Sequence, residues 1–306
     1  MNGFEALVLT IITASTPLLL AAIGELVVER SGVLNLGVEG MMIVGAVAAF
    51  GVAHVTGSPL LGVVAALFAG VAMSVLFGVL TLNLMANQVA TGLALTILGL
   101  GLSGMIGEGF IGEPGQRLAA LHIPVLSDLP LVGSIVFSQD ILVYASIALV
   151  IGTYHFLFRT RSGLILRAVG DNHTSAHALG YSVIKVRFLA VMFGGACAGL
   201  AGAYLSLAYT PQWVEGMTAG RGWIALALVV FASWRPNRVL IGAYLFGAVS
   251  ILQFHAQAAG IGVPSQLMSA MPYLATIIVL IIISRNVTLT KTNTPACLGK
   301  AFVPDR

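Results

Sequence analysis

The chain has 306 residues, 58% of them hydrophobic and 8% charged, and carries a net charge of +3. Soluble domains carry about 25% charged residues, so a water-soluble fold of this length is excluded and the bilayer is the solvent in which each polar residue must be read; the mean hydropathy of +1.01 agrees. Two cysteines, Cys197 and Cys297, provide neither a disulfide framework nor a C-x-x-C metal spacing and read as packing residues. The basic balance points to membrane orientation rather than to nucleic acid.

An α-helix rises about 1.5 Å per residue, so about 20 apolar residues cross a hydrocarbon core about 30 Å thick. Apolar runs predict nine spans in one polytopic all-α domain, residues 1–306, near 6–24, 36–54, 59–82, 88–106, 140–158, 187–208, 222–234, 238–256 and 269–284. The first follows MNGFEA, with no cation before Arg30, and so reads as a retained span rather than a cleaved signal.

Between the first two spans lies ERSGVLNLGVEGMM, with two carboxylates, an arginine, an asparagine and three glycines. Gly32, Gly37 and Gly40 permit a backbone break and close helix approach, and Asn35 and Glu39 share a face if the stretch is helical. A carboxylate within the bilayer costs at least about 2.5 kcal/mol and must face protein or water. Glu39 is therefore a candidate for the transport path, with a structural role toward Arg30 or a helix end as the competing reading. A second uncharged cluster, NLMANQVATG, joins the third and fourth spans. Its Asn83, Asn87, Gln88 and Thr91 suit either a water-filled path for a neutral, hydroxyl-rich solute or interhelical hydrogen bonding.

The connection at 107–139 holds Glu108, Glu113 and Asp128 and is long for a linker, as expected of a surface facing a partner or the mouth of a path, or of a merely solvated loop. The connection at 159–187 is the richest in charge and contains a short helical segment from Asn172 to Leu179, entered through Asp171 and stopped at Gly180. It reads either as a headgroup anchor or as a docking helix for a soluble partner. His173 and His177, four apart, lack a third metal ligand. The 222–234 run is short, reaching about 20 Å as a helix, and is expected to be shielded by neighbours or continued through Trp213–Gly220. A tail follows at 286–306. Nine spans with the C-terminus inside put twelve of the fourteen Lys and Arg on the cytoplasmic side, leaving Arg117 and Arg221 outside, so the N-terminus is expected outside and the C-terminus inside.

No G-x-x-x-x-G-K-[ST] loop is present to hold nucleotide phosphates, nor a G-x-S-x-G or H-E-x-x-H motif for hydrolysis. If ATP drives transport, another chain must bind it.

The blocks GELVVERSGVLNLGVEGMMIVGA, NQVATGLALTILGLGLSG, LRAVGDNHTSAHALGYSVIKVRFLA, GACAGLAGAYLSL, WVEGMTAGRGWIALALVVF and GVPSQLMSAMPYLATIIVL resemble the permease subunits of bacterial ABC importers for nucleosides and simple sugars, in the superfamily that includes branched-chain amino acid permeases. The resemblance runs from about residue 15 to 285, with its first and fifth blocks pointing to the nucleoside branch. It implies a non-enzymatic, multi-pass subunit of the bacterial plasma membrane, with no catalytic residue, metal or cofactor of its own. Implied partners are an ATPase that binds ATP and Mg, a second permease expected to be a distinct paralogue, an external substrate-binding lipoprotein and membrane lipid. Carried over by residue, the resemblance makes Arg167, Ala168, Gly170, Asp171, Asn172, Ala176, Leu179 and Gly180 the ATPase-coupling segment, where His173 and His177 depart from the family pattern. It sets Asn35, Glu39, Asn87, Gln88 and Thr91 beside the path, and Glu215 and Arg221 near the external mouth. A sugar or branched-chain amino acid as cargo, or an autonomous secondary transporter using Glu39 as an ion relay, are the readings that remain beside it.

Overall fold

The computed structural model describes residues 3–121, 132–258 and 293–303, with single positions between 124 and 127 and between 264 and 281. Among them the regular structure is helical: α1 Gly3–Arg30, α2 Val38–Thr56, α3 Pro59–Gly78, α4 Gln88–Gly107, α5 Val132–Val136, α6 Ile141–Arg159, α7 Arg161–Asp171, α8 His173–Ala178, α9 Val183–Tyr204, α10 Arg221–Phe231 and α11 Pro236–Ala258. Five-residue π-turns, Val79–Asn83 and Leu205–Tyr209, prolong α3 and α9.

Seven of these helices are long and apolar enough to cross a membrane, with α10 as a shorter apolar helix. Eight of the nine expected spans thus coincide with helices, but only seven have full crossing length. The expected ninth span, 269–284, falls largely outside the described residues. The short run proves to be α10, whose 11 residues end at Phe231, followed by Ser233 and Trp234 in left-handed backbone conformation. The helix starts follow local chemistry. Asn87, Asp140, Thr160 and Asn172 each accept a hydrogen bond from the first turn of the helix they precede, satisfying amides that have no intrahelical partner. Proline opens α3, where its missing N–H is harmless.

Packing within a bilayer gains little from the hydrophobic effect and depends on close contact. The centre of the bundle is α9, whose run of small residues lies against α1, α2 and α3. An added Cβ at Gly199 would overlap the Ala66 carbonyl of α3. Helices α2 and α4 meet in the same way, where a Cβ on Gly99 would stand 2.6 Å from the Gly40 carbonyl oxygen. Both helices of each pair approach to backbone contact, and no larger side chain fits between them. Leucines and isoleucines on the outer faces of α3, α4, α6 and α11 remain exposed, as lipid-facing positions require.

Candidate translocation junction and coupling helix

The break between α1 and α2 is buried, and side chains satisfy its backbone. The Leu34 amide donates to Gln88 Oε1 at 2.9 Å, the Asn35 amide to Glu25 Oε1 at 3.3 Å and the Gly37 amide to Asn35 Oδ1 at 3.0 Å, while Thr96 Oγ1 donates to the Leu36 carbonyl at 3.2 Å. Irregular backbone at membrane depth is tolerated only when satisfied in this way. Glu25 and Glu29, four apart on one face of α1, are both buried. Glu29 Oε2 accepts from the Trp234 indole at 2.6 Å, whereas Glu25 Oε2 and Gln88 Nε2 are buried with no hydrogen-bond partner among the described residues.

Of the five residues expected beside the path, Asn35, Glu39 and Gln88 are thus brought together in this buried junction. Thr91 sits one turn into α4, and Asn87 is exposed and acts as the α4 cap, accepting from the Ala90 amide at 3.0 Å.

Glu39 is not paired with Arg30. Its carboxylate accepts from the Gly220 amide at 2.8 Å and the Gly222 amide at 2.6 Å, capping α10 from the first turn of α2. The helix-end reading of Glu39 is the one realised in this geometry. A carboxylate at a helix N-terminus is favoured both by the orphan amides and by the helix dipole. Gly40 is level with Leu95 and Thr96 of α4, seven or eight residues from the start of that helix, or about 11 Å along its axis. The N-terminus of α10 therefore lies about a third of the way through the bundle, at the end of the turn-rich Thr210–Gly220 stretch. This is a half-helix with its positive end within the span region, of the kind that lines transporter sites.

Arg221 stands at that same helix start. Its Nη1 donates to the Met217 and Thr218 carbonyls at 3.1 and 3.3 Å, and its guanidinium lies 5.3 Å from the Tyr209 ring centre. Glu215 lies farther out, beside Gly104. With Glu113, Gln212 and Trp213 it lines a cavity of about 480 Å³. The two expected mouth residues are thus separated, Glu215 at the rim and Arg221 beside Glu39.

At the opposite end, α7 and α8 form a compact helix pair. Asn172 ends α7 and caps α8, accepting from the Ser175 amide at 2.9 Å. Gly170 lies so close to α1 that a Cβ would collide with the Arg30 carbonyl, and Gly180 leaves α8 at φ +86°. Arg167 stacks 5.0 Å from the Phe158 ring centre. Ala168 is exposed, and its carbonyl accepts from the Asn172 amide at 2.8 Å. Burial raises the Asp171 carboxyl above its ordinary value, against the opposing pull of Arg30 and Arg167. Ala176 is buried against Val169, Val183 and Phe302, so its smallness serves packing within this chain, whereas Leu179 is 77% exposed.

His173 and His177 both lie edge-on to Phe302, with ring centres 5.3 Å apart. Among the described residues no group of three His, Cys, Asp or Glu is placed to hold a metal.

Sequence reasoning missed several participants. Glu25 lay hidden inside an apolar run, and only its i, i+4 spacing to Glu29 marked it. Arg187 read as one more cytoplasmic cation, yet it is buried and donates to Ser31 O at 3.1 Å and Lys300 O at 2.9 Å. The tail was expected only as a cytoplasmic end, yet its Phe302 is buried against Val169, Ala176 and Val183.

A helical bundle packed through glycines, with a polar break and a half-helix within it and a small helix pair at one end, is the architecture of a polytopic transport subunit. Residues 7–283 match the family model described as branched-chain amino acid transport system / permease component, and the chain belongs to that family as a multi-pass integral protein of the cell membrane. It is 45% identical over 291 residues, 88% of each chain, to a putative glucose ABC transporter permease of Haloferax volcanii. It is 31% identical to a nucleoside ABC transporter permease of Lactococcus lactis, covering 99% of this chain and 96% of that one. With a guanosine ABC transporter permease of Bacillus subtilis the identity is 32%, over 89% and 92% of the two chains. No solved structure gives a significant match.

Proposed function

We propose that this chain forms part of the translocation path of an ABC importer for a nucleoside, driven by a separate ATPase that docks on α8. The observation that carries the reading is the α7–α8 pair, in which a capped α8 ends in an exposed Leu179, in a chain with no phosphate-binding loop of its own. The clustering of Arg167 and Arg235 around Arg30, with Arg187 hydrogen-bonded to the Lys300 carbonyl, supports a cytoplasmic location for this end. On this reading α10 and the segment 269–284 complete nine spans, with the N-terminus outside.

Closure of the ATPase dimer pushes α8, and a rigid-body shift of the bundle opens the path to one side and then the other. A second permease, expected to be a paralogue, supplies the other half, and an external binding protein delivers solute at the Glu113–Glu215 rim. The uncharged side chains of Asn87, Gln88 and Thr91, with no cation–carboxylate pair among them, suit a neutral solute better than a zwitterionic amino acid.

A simple sugar is the second reading, favoured by the 45% identity to the putative glucose permease. Proteoliposomes containing the chain, its ATPase, second permease and binding protein should take up labelled nucleoside only with ATP. Hexose uptake that excess nucleoside does not suppress would select the sugar instead. Uptake that follows a proton gradient without the ATPase would overturn both readings in favour of Glu39 as an ion relay.

A further inference from the structure

We propose that the C-terminal segment 293–303 is a coupling strap, and that Arg187 is the positioning residue that ties this strap and α8 to the α1–α2 junction. The strap lies across the end of the bundle and adds its own hydrogen bonds to both sites. The Cys297 amide donates to the Gly170 carbonyl at 2.9 Å, and the Gly299 amide to the Gly32 carbonyl at 3.1 Å. Arg30 Nη1 donates to the Asn293 carbonyl at 2.9 Å, while its Nε and Nη2 hold the Trp234 carbonyl beyond α10.

Arg187 joins the three parts. Its Nε donates to Ser31 O in the junction, its Nη1 to Lys300 O in the strap, and its Nη2 to His173 Nδ1 on α8 at 3.2 Å. A planar guanidinium presents five donors in a fixed fork, so one buried side chain sets the relative positions of three segments distant in sequence. Phe302 completes the attachment. It is buried with Val169, Ala176 and Val183, between the edges of His173 and His177.

Gly32 and Gly170 leave no slack. A Cβ on Gly32 would stand 2.8 Å from Arg187 Nη2, and one on Gly170 would overlap the Arg30 carbonyl. Displacing α8 alone would break the Arg187–His173 bond and strip Phe302 of its packing against Ala176, His173 and His177. A push on α8 therefore moves the Ser31–Gly37 junction with it, and through Glu39 the start of α10, instead of being absorbed at the flanking Asn172 and Gly180 turns. This inference rests on the reading of α8 as the ATPase contact, but the docking of the strap does not.

The two native thiols separate these claims. Cys197 is buried in the bundle, whereas Cys297 is half-buried in the strap, its thiol donating to the Asp171 carbonyl at 3.4 Å. In the assembled transporter, Arg187→Gln and Phe302→Ala should each raise the maleimide labelling rate of Cys297 by about tenfold or more, because labelling follows the population of the undocked strap. Solute taken up per ATP hydrolysed should fall several-fold while the KM for uptake stays unchanged, and Phe302→Leu should restore most of both. Phe302 lies outside every span, so its variants test the strap without removing any contact between spans. Wild-type labelling rates in both variants would refute docking. Faster labelling with undiminished uptake per ATP would refute the coupling role. Unchanged uptake in a Leu179→Asp variant whose Cys297 labels at the wild-type rate would show that α8 is not the motor contact, a separate failure of the underlying reading.

Discussion

The Glu39 carboxylate and the Gly222 amide are 2.6 Å apart, although one residue belongs to the first turn of α2 and the other to the first turn of α10. Through this bond and its companion to Gly220, one helix supplies the cap that the other lacks in its own sequence, since Gly220 offers no side chain. The start of the half-helix and the polar break of the α1–α2 junction are thereby fixed to each other.

Replacing Glu39 with alanine leaves two amides unsatisfied in a buried site, at about 1–3 kcal/mol each. Glu39→Ala should lower the unfolding midpoint of the detergent-solubilised protein markedly. Glu39→Gln, which keeps an acceptor, should lose less stability and retain ATP-driven uptake. A Gln variant with full stability and abolished uptake would instead give the carboxylate a role in translocation.

The glycine contacts make a paired prediction. Gly99→Leu forces side-chain atoms into the Gly40 backbone, and overpacking of this kind costs about 1–3 kcal/mol or more. Gly101, two residues on, has open space around it. Gly101→Ala should leave the thermal midpoint unchanged or raise it, since helix propensity favours alanine there by up to about 1 kcal/mol. Equal loss in both variants would mean that the close α2–α4 approach is not what holds the pair.

The spans were legible because about 20 consecutive apolar residues have few alternatives in water or lipid. The start of α8 was legible from Asp171 and Asn172, whereas Asn87 and Asp140, which cap α4 and α6, were not read as caps. The location of the Asn35–Glu39 break followed from its glycines, but the partner of Glu39 did not, because the capping amides lie 181 and 183 residues away. The inward face of Ala176 was equally hidden. Its smallness suits a tight contact on either side of the helix, and the deciding neighbour, Phe302, comes from a tail with no periodic pattern. Arg187 could not be told from a headgroup-facing cation by charge alone.

Ala176 and Leu179 should respond differently to substitution. Leu179→Asp alters an exposed side chain, so it should abolish ATP-dependent uptake with the thermal midpoint unchanged. Ala176→Leu should damage stability as well as uptake, since the buried site against Val169, Val183 and Phe302 has no room for it. Matched midpoints with uptake lost only in the Ala176 variant would place the ATPase contact on the other face of α8.

Acid should loosen the strap. Burial, Arg187 and Lys300 together lower the His173 imidazole from its ordinary value of 6.5, and Nδ1 must be unprotonated to accept from Arg187. The docked form thus binds the proton less tightly than the free form. Docking is complete above 6.5 and is lost as the pH falls through the lowered value. Labelling of Cys297, normalised to the denatured chain at each pH, should rise as the pH falls below 6.5. His173→Gln should flatten that rise. A rise that persists in His173→Gln would assign it to another group.

The central claim is that the α7–α8 end faces the cytosol and grips a separate motor. In a Cys297→Ser background, with Cys197 buried, Leu179→Cys offers one reactive thiol to a membrane-impermeant maleimide applied to vesicles of known sidedness. The account predicts labelling only from the cytoplasmic face, and protection when the ATPase is bound. Labelling from the external face, or a rate that the ATPase leaves untouched, would contradict it.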